Sequence, residues 1–141
     1  MMGFSDLFSW RARATRNRLA RVSTGAPFVM TVEGKMYSDA SGRATDIALA
    51  QGAREVLGAG RIVVKQGRLL EITNESPTYH PCFDQMLRLV ERLAAMGLDL
   101  KGDGKGVAVI VYATVDENGV GKRGTRYRVS HSSAGVELIP E

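Results

Sequence analysis

The sequence predicts an α+β fold, with a mainly antiparallel sheet of five to seven strands, two packed helices and an amino-terminal basic helix. Short apolar stretches separated by glycine-containing turns indicate the strands, and the stretch from Val107 to Val115 is apolar on both faces, as in a central strand. Apolar residues at spacings of three and four indicate a helix from about Pro81 to Met96. With 141 residues, 44% of them hydrophobic, the chain is long enough for one domain with a buried core.

The first 26 residues are expected to form a basic amphipathic helical segment, separate from a single α+β domain at residues 27–141. Ser5 can cap this helix, and Gly25-Ala26-Pro27 is a natural break after it. Residues 1–22 contain five arginines and one acidic residue, so this segment carries the whole net charge of +4. The candidates for contact with a partner protein are its apolar side chains and the arginines beside them: Phe4, Leu7, Phe8, Trp10, Arg11 and Arg18.

The sequence of the first part of the domain predicts a hairpin and then a helix. Phe28 to Val32 and Lys35 to Ser38 have the composition of two strands joined by a short turn. Thr45 is expected to cap a helix of about twelve residues, which Gly58 and Gly60 would end.

A second hairpin and three later strands complete the predicted sheet. Ala59 to Thr73 predicts two short strands joined at Gln66-Gly67. After the second helix, a glycine-rich connection at residues 101–106 leads into the central strand. A basic strand at 123–131 and a short last strand at 136–139 follow.

The stretch between the second hairpin and the second helix concentrates polar side chains at one corner. The candidate ligand-binding residues there are Glu75, Ser76, Thr78, Tyr79 and His80. In a ligand pocket Tyr79 would stack on the ligand, and His80 would donate or accept a proton. The alternative is structural: the prolines at 77 and 81 fix a tight turn, and a hydroxyl or the imidazole caps the following helix.

The order of several motifs resembles a module found in plant calmodulin-binding proteins of the IQ-motif type and in bacterial polymorphic toxins and effectors. The motifs are Lys35-Met36-Tyr37, Gly58-Ala59-Gly60, Val63 to Leu69, Ile72-Thr73-Asn74 and Ser76 to Pro81. The similarity covers about residues 28–100. Members of that family carry a Ser-Gly-His-Tyr-any-Pro motif, and Ser76, Tyr79 and Pro81 stand at its matching positions.

The same resemblance implies a function. Family members have Gly-His where this chain has Pro77-Thr78, and a His-Ser-Ser segment upstream, whereas no histidine lies between Asp39 and Gly58. The resemblance therefore implies a toxin- or effector-associated module that binds a protein partner or a small polar ligand without catalysis. The alternatives are a small ADP-ribosyltransferase-type toxin domain and, with less support, nucleic-acid binding through the amino-terminal arginines.

Two further polar motifs are expected to bind no ligand. Gly102 to Gly106 contains the glycines and the lysine of a phosphate-binding loop, but it leads from a helix into a strand, the reverse of the usual order. It does not match a calcium loop either, because Lys101 stands where a carboxylate is needed and no glutamate closes the loop. Ser130-His131-Ser132-Ser133 pairs a hydroxyl with an imidazole and is interpreted as the polar end of a strand.

The composition argues against several other classes of protein. The single cysteine, Cys82, cannot form an internal disulfide, and His80 and His131 are too few to complete a zinc site with it. We therefore expect no cofactor and no metal. No apolar run approaches the ~18 residues of a membrane span, and the first residues do not resemble a secretory signal. A cytoplasmic location, or export by a dedicated secretion machine, is expected.

Overall fold

The structure is a computed structural model that describes residues 25–39, 41 and 43–141, which form a seven-stranded sheet and two helices. The strands are β1 (Ala26–Met30), β2 (Met36–Ser38), β3 (Gly58–Lys65), β4 (Arg68–Thr73), β5 (Ala108–Val115), β6 (Gly121–Ser132) and β7 (Gly135–Pro140). The helices are α1 (Asp46–Leu49) and α2 (Phe83–Ala95). The α+β class with a mainly antiparallel sheet is confirmed, whereas the amino-terminal basic helix and its partner candidates lie outside the described residues.

The strands lie side by side in the order β2-β1-β3-β4-β5-β6-β7. Neighbouring strands are antiparallel except for β4 and β5, which run parallel and pair Ile72 with Val109. Parallel pairing requires a crossover connection, and α2 lies in that connection. β5 has a partner on each side and is an interior strand, as its apolar pattern predicted. No described helix has the length and apolarity needed to cross a membrane.

The main core lies between α2 and one face of the sheet. The buried residues of the helix follow the spacing of three and four seen in the sequence: Met86, Leu89, Val90 and Leu93. Leu89 packs directly on Gly58 of β3, where a Cβ would lie 2.9 Å from its methyl carbons. Phe83 contacts Tyr127 of β6, with ring centroids 5.1 Å apart. These contacts fix where α2 begins, and therefore where the polar corner before it lies.

The helix that Thr45 caps is shorter than predicted, because α1 contains four residues and not about twelve. Thr45 does cap it, since its side chain accepts a backbone hydrogen bond. The chain leaves the helix at Gln51 and Gly52, whose φ angles are 55° and 77°, in the left-handed region that favours glycine. Gly58 and Gly60, predicted to end the helix, instead lie in β3.

The expected break at Gly25-Ala26-Pro27 leads directly into the sheet. Ala26 and Pro27 belong to β1 and pair with Ile62 and Arg61 of β3. All five residues of β1 are buried, because this strand lies between β2 and β3 and is covered on both faces.

Candidate functional site

Asp46, the first residue of α1, lies at the centre of the polar corner. Its carboxylate accepts hydrogen bonds from the hydroxyl of Ser76 at 2.5 Å and from the hydroxyl and backbone N of Thr78 at 2.7 and 2.9 Å. A fourth hydrogen bond comes from the backbone N of Ile47 at 2.7 Å. Asp46 and Ser76 are buried, at 7% and 1% exposure. We call the set of Asp46, Ser76 and Thr78 the aspartate clasp.

The aspartate clasp is built around an ionised carboxylate. Burial raises the pKa of Asp46, but the hydrogen bonds from Ser76, Thr78 and Ile47 outweigh burial and hold the pKa below its usual value of 3.8. A carboxylate with a lowered pKa is a weak general base near neutral pH. The hydroxyls of Ser76 and Thr78 are held in place by their hydrogen bonds to Asp46.

The structural alternative is correct in its turn and wrong in its cap. Residues 77–79 form a turn, and the backbone N of His80 donates a hydrogen bond to the carbonyl oxygen of Ser76 at 2.8 Å. No side chain of the corner caps the following helix. α2 begins after Cys82, whose backbone N donates a hydrogen bond to Gln85 at 2.8 Å. Ser76 instead donates its hydroxyl to Asp46 and accepts a hydrogen bond from the backbone N of Tyr79 at 3.2 Å. The hydroxyls of the corner thus join it to α1, 30 residues earlier, and not to the helix that follows.

Asn74 closes the corner on its other side. This residue is fully buried, and its amide N donates to the carbonyl oxygens of Pro81 at 2.9 Å and Tyr112 at 3.0 Å. Its amide O accepts a hydrogen bond from the backbone N of Tyr112 at 2.8 Å. Neither Asn74 nor Asp46 was predicted as a site residue. In the sequence, Asn74 is only a polar residue directly after an apolar strand, and Asp46 only an acid in the first turn of a helix.

Tyr79 borders a concave surface beside the start of α2. Its hydroxyl donates a hydrogen bond to the carbonyl of Ala53. Its ring lines a pocket of about 320 Å³ together with Pro81 and Gln85. Burial raises the pKa of Tyr79, and the negative charge of Asp46 raises it further. Because the hydroxyl is already bonded within the protein, Tyr79 offers a ligand its ring.

His80 and Glu75 contact a different part of the structure, formed by β5 and β6. His80 is exposed, and its Nε2 lies 3.2 Å from the carbonyl oxygen of Tyr112. Glu75 accepts hydrogen bonds from the Thr73 hydroxyl at 3.0 Å and from the backbone N of Gly121 at 3.1 Å. Burial raises the pKa of Tyr112, and the negative charge of Glu75 raises it further. The Thr73 hydroxyl and the backbone N of Gly121 contact different oxygens of Glu75, so both of its carboxylate oxygens are bonded within the protein.

A groove of about 550 Å³, which we call the clasp groove, lies beside the aspartate clasp. Its polar and charged lining includes Arg43, Asp46, Arg61, Glu75, Thr78, Glu117 and Asn118. Arg43, Arg61 and Glu117 form no ion pair with another described residue. Because the oxygens of Asp46 and Glu75 are already bonded, the charges open to a ligand are the two guanidinium groups and the Glu117 carboxylate.

The groups that line the clasp groove are suited to binding a polar ligand. Arginine, amide and carboxylate groups provide hydrogen-bond donors and acceptors in one place. The hydroxyls of Ser76 and Thr78, by contrast, face a weak base. Within the part of the chain that the structure describes, no three His, Cys, Asp or Glu side chains lie close enough together to hold a metal ion.

Comparisons with protein-family models, with curated proteins and with solved structures find no match to this chain. The resemblance to the toxin- and effector-associated module therefore stays a prediction from the motifs in residues 28–100. In the structure, Ser76 belongs to the aspartate clasp, Tyr79 lines the pocket beside it, and the Pro81 carbonyl is bonded to Asn74.

Proposed function

We propose that the chain is a toxin- or effector-associated binding module that holds a small polar ligand in the clasp groove, without catalysis. It would act in the cytoplasm, or after export by a dedicated secretion machine. The observation that carries the proposal is a groove in which Arg43, Arg61 and Glu117 form no ion pair with another described residue, while the carboxylates of Asp46 and Glu75 are already hydrogen-bonded. A ligand with an anionic group and a hydrogen-bond donor matches this lining. A protein partner would present the same groups as side chains or a chain terminus.

The aspartate clasp supports binding because it fixes the groove before a ligand arrives. Asp46 joins α1 to the corner, and Asn74 joins the corner to β5, so Thr78 on the wall of the groove is held from two sides. A site that is already ordered binds more tightly, because less conformational entropy is lost on binding. Arg61 lies on β3, an interior strand, which gives its backbone a rigid position.

Substitution of Arg61 tests this proposal. We expect titration of the full chain with free amino acids, dicarboxylic acids and nucleotides to shift the NMR amide signals of Thr78 and Asn118. Arg61→Ala should weaken binding of the compound identified in this way about tenfold or more, because it removes one of the cationic groups. Lys65→Ala is the matched control, since Lys65 is exposed on the same strand and lies outside the groove. An equal loss of affinity in Arg61→Ala and Lys65→Ala would contradict the proposal. So would amide signals of Thr78 and Asn118 that no compound shifts.

The enzymatic alternative makes a different prediction. An ADP-ribosyltransferase needs a carboxylate that stabilises the positive charge developing on the ribose, and Glu75 has both oxygens bonded to Thr73 and Gly121. We therefore expect no measurable hydrolysis or transfer when the full chain is incubated with NAD and the products are separated by chromatography. NAD turnover that disappears in Tyr79→Ala or Glu75→Ala would replace the binding proposal with the enzymatic one.

A further inference from the structure

A second pocket lies where the connection at residues 98–106 meets β6 and β7. Its volume is about 610 Å³, and its polar side chains are those of Asp99, Lys101, Lys105, Arg128, Ser130 and His131. Two motifs for which no ligand was predicted from the sequence, the glycine-rich connection and the Ser130-His131 pair, therefore meet in one place.

The two lysines of this pocket stand on a connection that local hydrogen bonds hold in shape. Asp99 accepts a hydrogen bond from the backbone N of Lys101 at 2.9 Å, and Asp103 accepts one from the backbone N of Lys105 at 3.1 Å. Lys101 and Lys105 are exposed, and their ammonium groups form no ion pair with any described residue. Asp99, which lines the pocket, and Asp103 are thus each bonded to the backbone through one oxygen. The two ammonium groups are open to a ligand.

Arg128 holds the same connection against β6. Its guanidinium group donates to the carbonyl of Gly106 at 3.1 Å and to Glu141 at 2.9 Å, and it lies 3.7 Å from Asp103. At Gly106 the φ angle is 93°, and a Cβ would lie 2.2 Å from the carbonyl oxygen of Val129, so this close approach requires glycine. Because Arg128 is already engaged, it shapes the pocket and leaves the lysines to contact a ligand.

The remaining lining combines hydrogen-bond donors with apolar surface. Ser130 and His131 are consecutive residues of β6, so their side chains point to opposite faces of the sheet. One of the two, the hydroxyl or the imidazole, can donate to a phosphate oxygen. Ile139, which is 44% exposed, adds apolar area, whereas Leu98 and Leu100 in the same lining are buried. Two separate ammonium groups suit a phosphate, because lysine binds as a point charge and phosphate presents oxygens in several directions.

We infer that this pocket binds a small phosphate-bearing molecule with an apolar body, of the nucleotide class, through Lys101 and Lys105. The site is separate from the clasp groove, since no residue lines both. It also differs from a phosphate loop at a helix terminus. The backbone N atoms of residues 104–106 already donate within the connection, so side chains make the contacts.

The test is titration of the full chain with adenosine monophosphate, inorganic phosphate and adenosine, followed by NMR and calorimetry. We expect shifts at the amides of Ser130 and His131, and the tightest binding for adenosine monophosphate. The Lys101→Gln/Lys105→Gln double variant should bind it about tenfold or more weakly, because both cationic groups are lost. Lys122→Gln is the control: Lys122 is an exposed lysine on β6 outside the pocket, and its loss should leave the affinity unchanged.

Several results would overturn the inference. One is an affinity for adenosine monophosphate that is unchanged in the double variant, or that falls equally in Lys122→Gln. Others are adenosine binding as tightly as its monophosphate, and no binding of any probe at about 10 mM. Affinity should also fall as salt rises from about 0.05 to about 0.2 M, because exposed charges are screened. Arg61→Ala, which tests the clasp groove, should leave this binding intact, so failure of one site is distinguishable from failure of the other.

Discussion

Replacing Gly60 with alanine is expected to lower the free energy of unfolding by about 4 kcal/mol or to prevent folding. Gly60 lies in β3, where it pairs with Phe28, and its φ angle is 158°. A Cβ at this position would lie 1.7 Å from the carbonyl oxygen of Thr73 and 3.1 Å from the Cα of Asn74. Both are backbone atoms, so relief of the clash requires β3 and β4 to separate where the polar corner begins. Urea unfolding followed by circular dichroism measures the change.

Gly67→Ala is the matched control for this substitution, because Gly67 lies in the turn between the same two strands. A Cβ added there meets no atom within 4 Å. Alanine therefore lowers the free energy of unfolding only through backbone strain at the φ angle of 78°, by about 1 to 2 kcal/mol. If Gly60→Ala lost no more stability than Gly67→Ala, the close approach of β3 and β4 at Gly60 would be contradicted.

The elements that could be predicted from the sequence are those whose signals are local. The apolar spacing of α2 places its buried residues on one face without reference to any other part of the chain. Gln66-Gly67 has positive φ angles of 52° and 78°, which is the conformation of the two-residue hairpin turn predicted there. The apolar pattern of 107–115 predicted an interior strand, because such a strand has neighbours on both sides and apolar residues on both faces. β5 does lie between β4 and β6, and it is buried at residues 107–109 and exposed at Ala113 and Thr114.

The length of α1 and the aspartate clasp could not be predicted, because they depend on contacts between distant residues. α1 is short because Leu49 packs in a small cluster with Val29, after which Gly52 turns the chain away. Asp46 is an ordinary first-turn acid in the sequence, and only the fold brings it to Ser76. The polar density of the corner was recognised, but its cause, a buried carboxylate that needs donors, lies 30 residues earlier.

Replacing Asp46 with alanine is expected to lower the free energy of unfolding by about 3 kcal/mol or more, because hydrogen bonds to a charged group contribute about 1.5 to 3 kcal/mol each. The change leaves the buried hydroxyl of Ser76 and two donors of Thr78 without their acceptor. In urea unfolding, Asp46→Ala/Ser76→Ala should lose less stability than the two single variants together, since the second change removes a donor that already lacks its partner. Simple additivity would show that Asp46 and Ser76 do not act as a unit.

The same carboxylate makes the stability of the protein depend on pH. Burial, which raises the pKa of Asp46, is outweighed by the hydrogen bonds of the aspartate clasp, so the folded pKa lies below the usual 3.8. Stability from a lowered pKa is complete above about pH 5 and is lost as the pH falls through the folded pKa. The variant Asp46→Asn has no titrating group at this position, so its deficit in unfolding free energy should shrink between about pH 6 and pH 3.

Unfolding in urea at a series of pH values measures this deficit. The free energies of unfolding of the unsubstituted protein and of Asp46→Asn are subtracted at each pH. The other acids are present in both proteins, so their contribution cancels and that of Asp46 remains. Glu91→Gln is the control, because Glu91 is exposed on α2 and its loss should leave the pH dependence of the unchanged protein in place. A deficit that stays constant down to about pH 3 would show that folding does not favour the ionised form of Asp46. In that case the hydroxyls of Ser76 and Thr78 would not be held by a charge, and the rigid wall assigned to the clasp groove would need another cause.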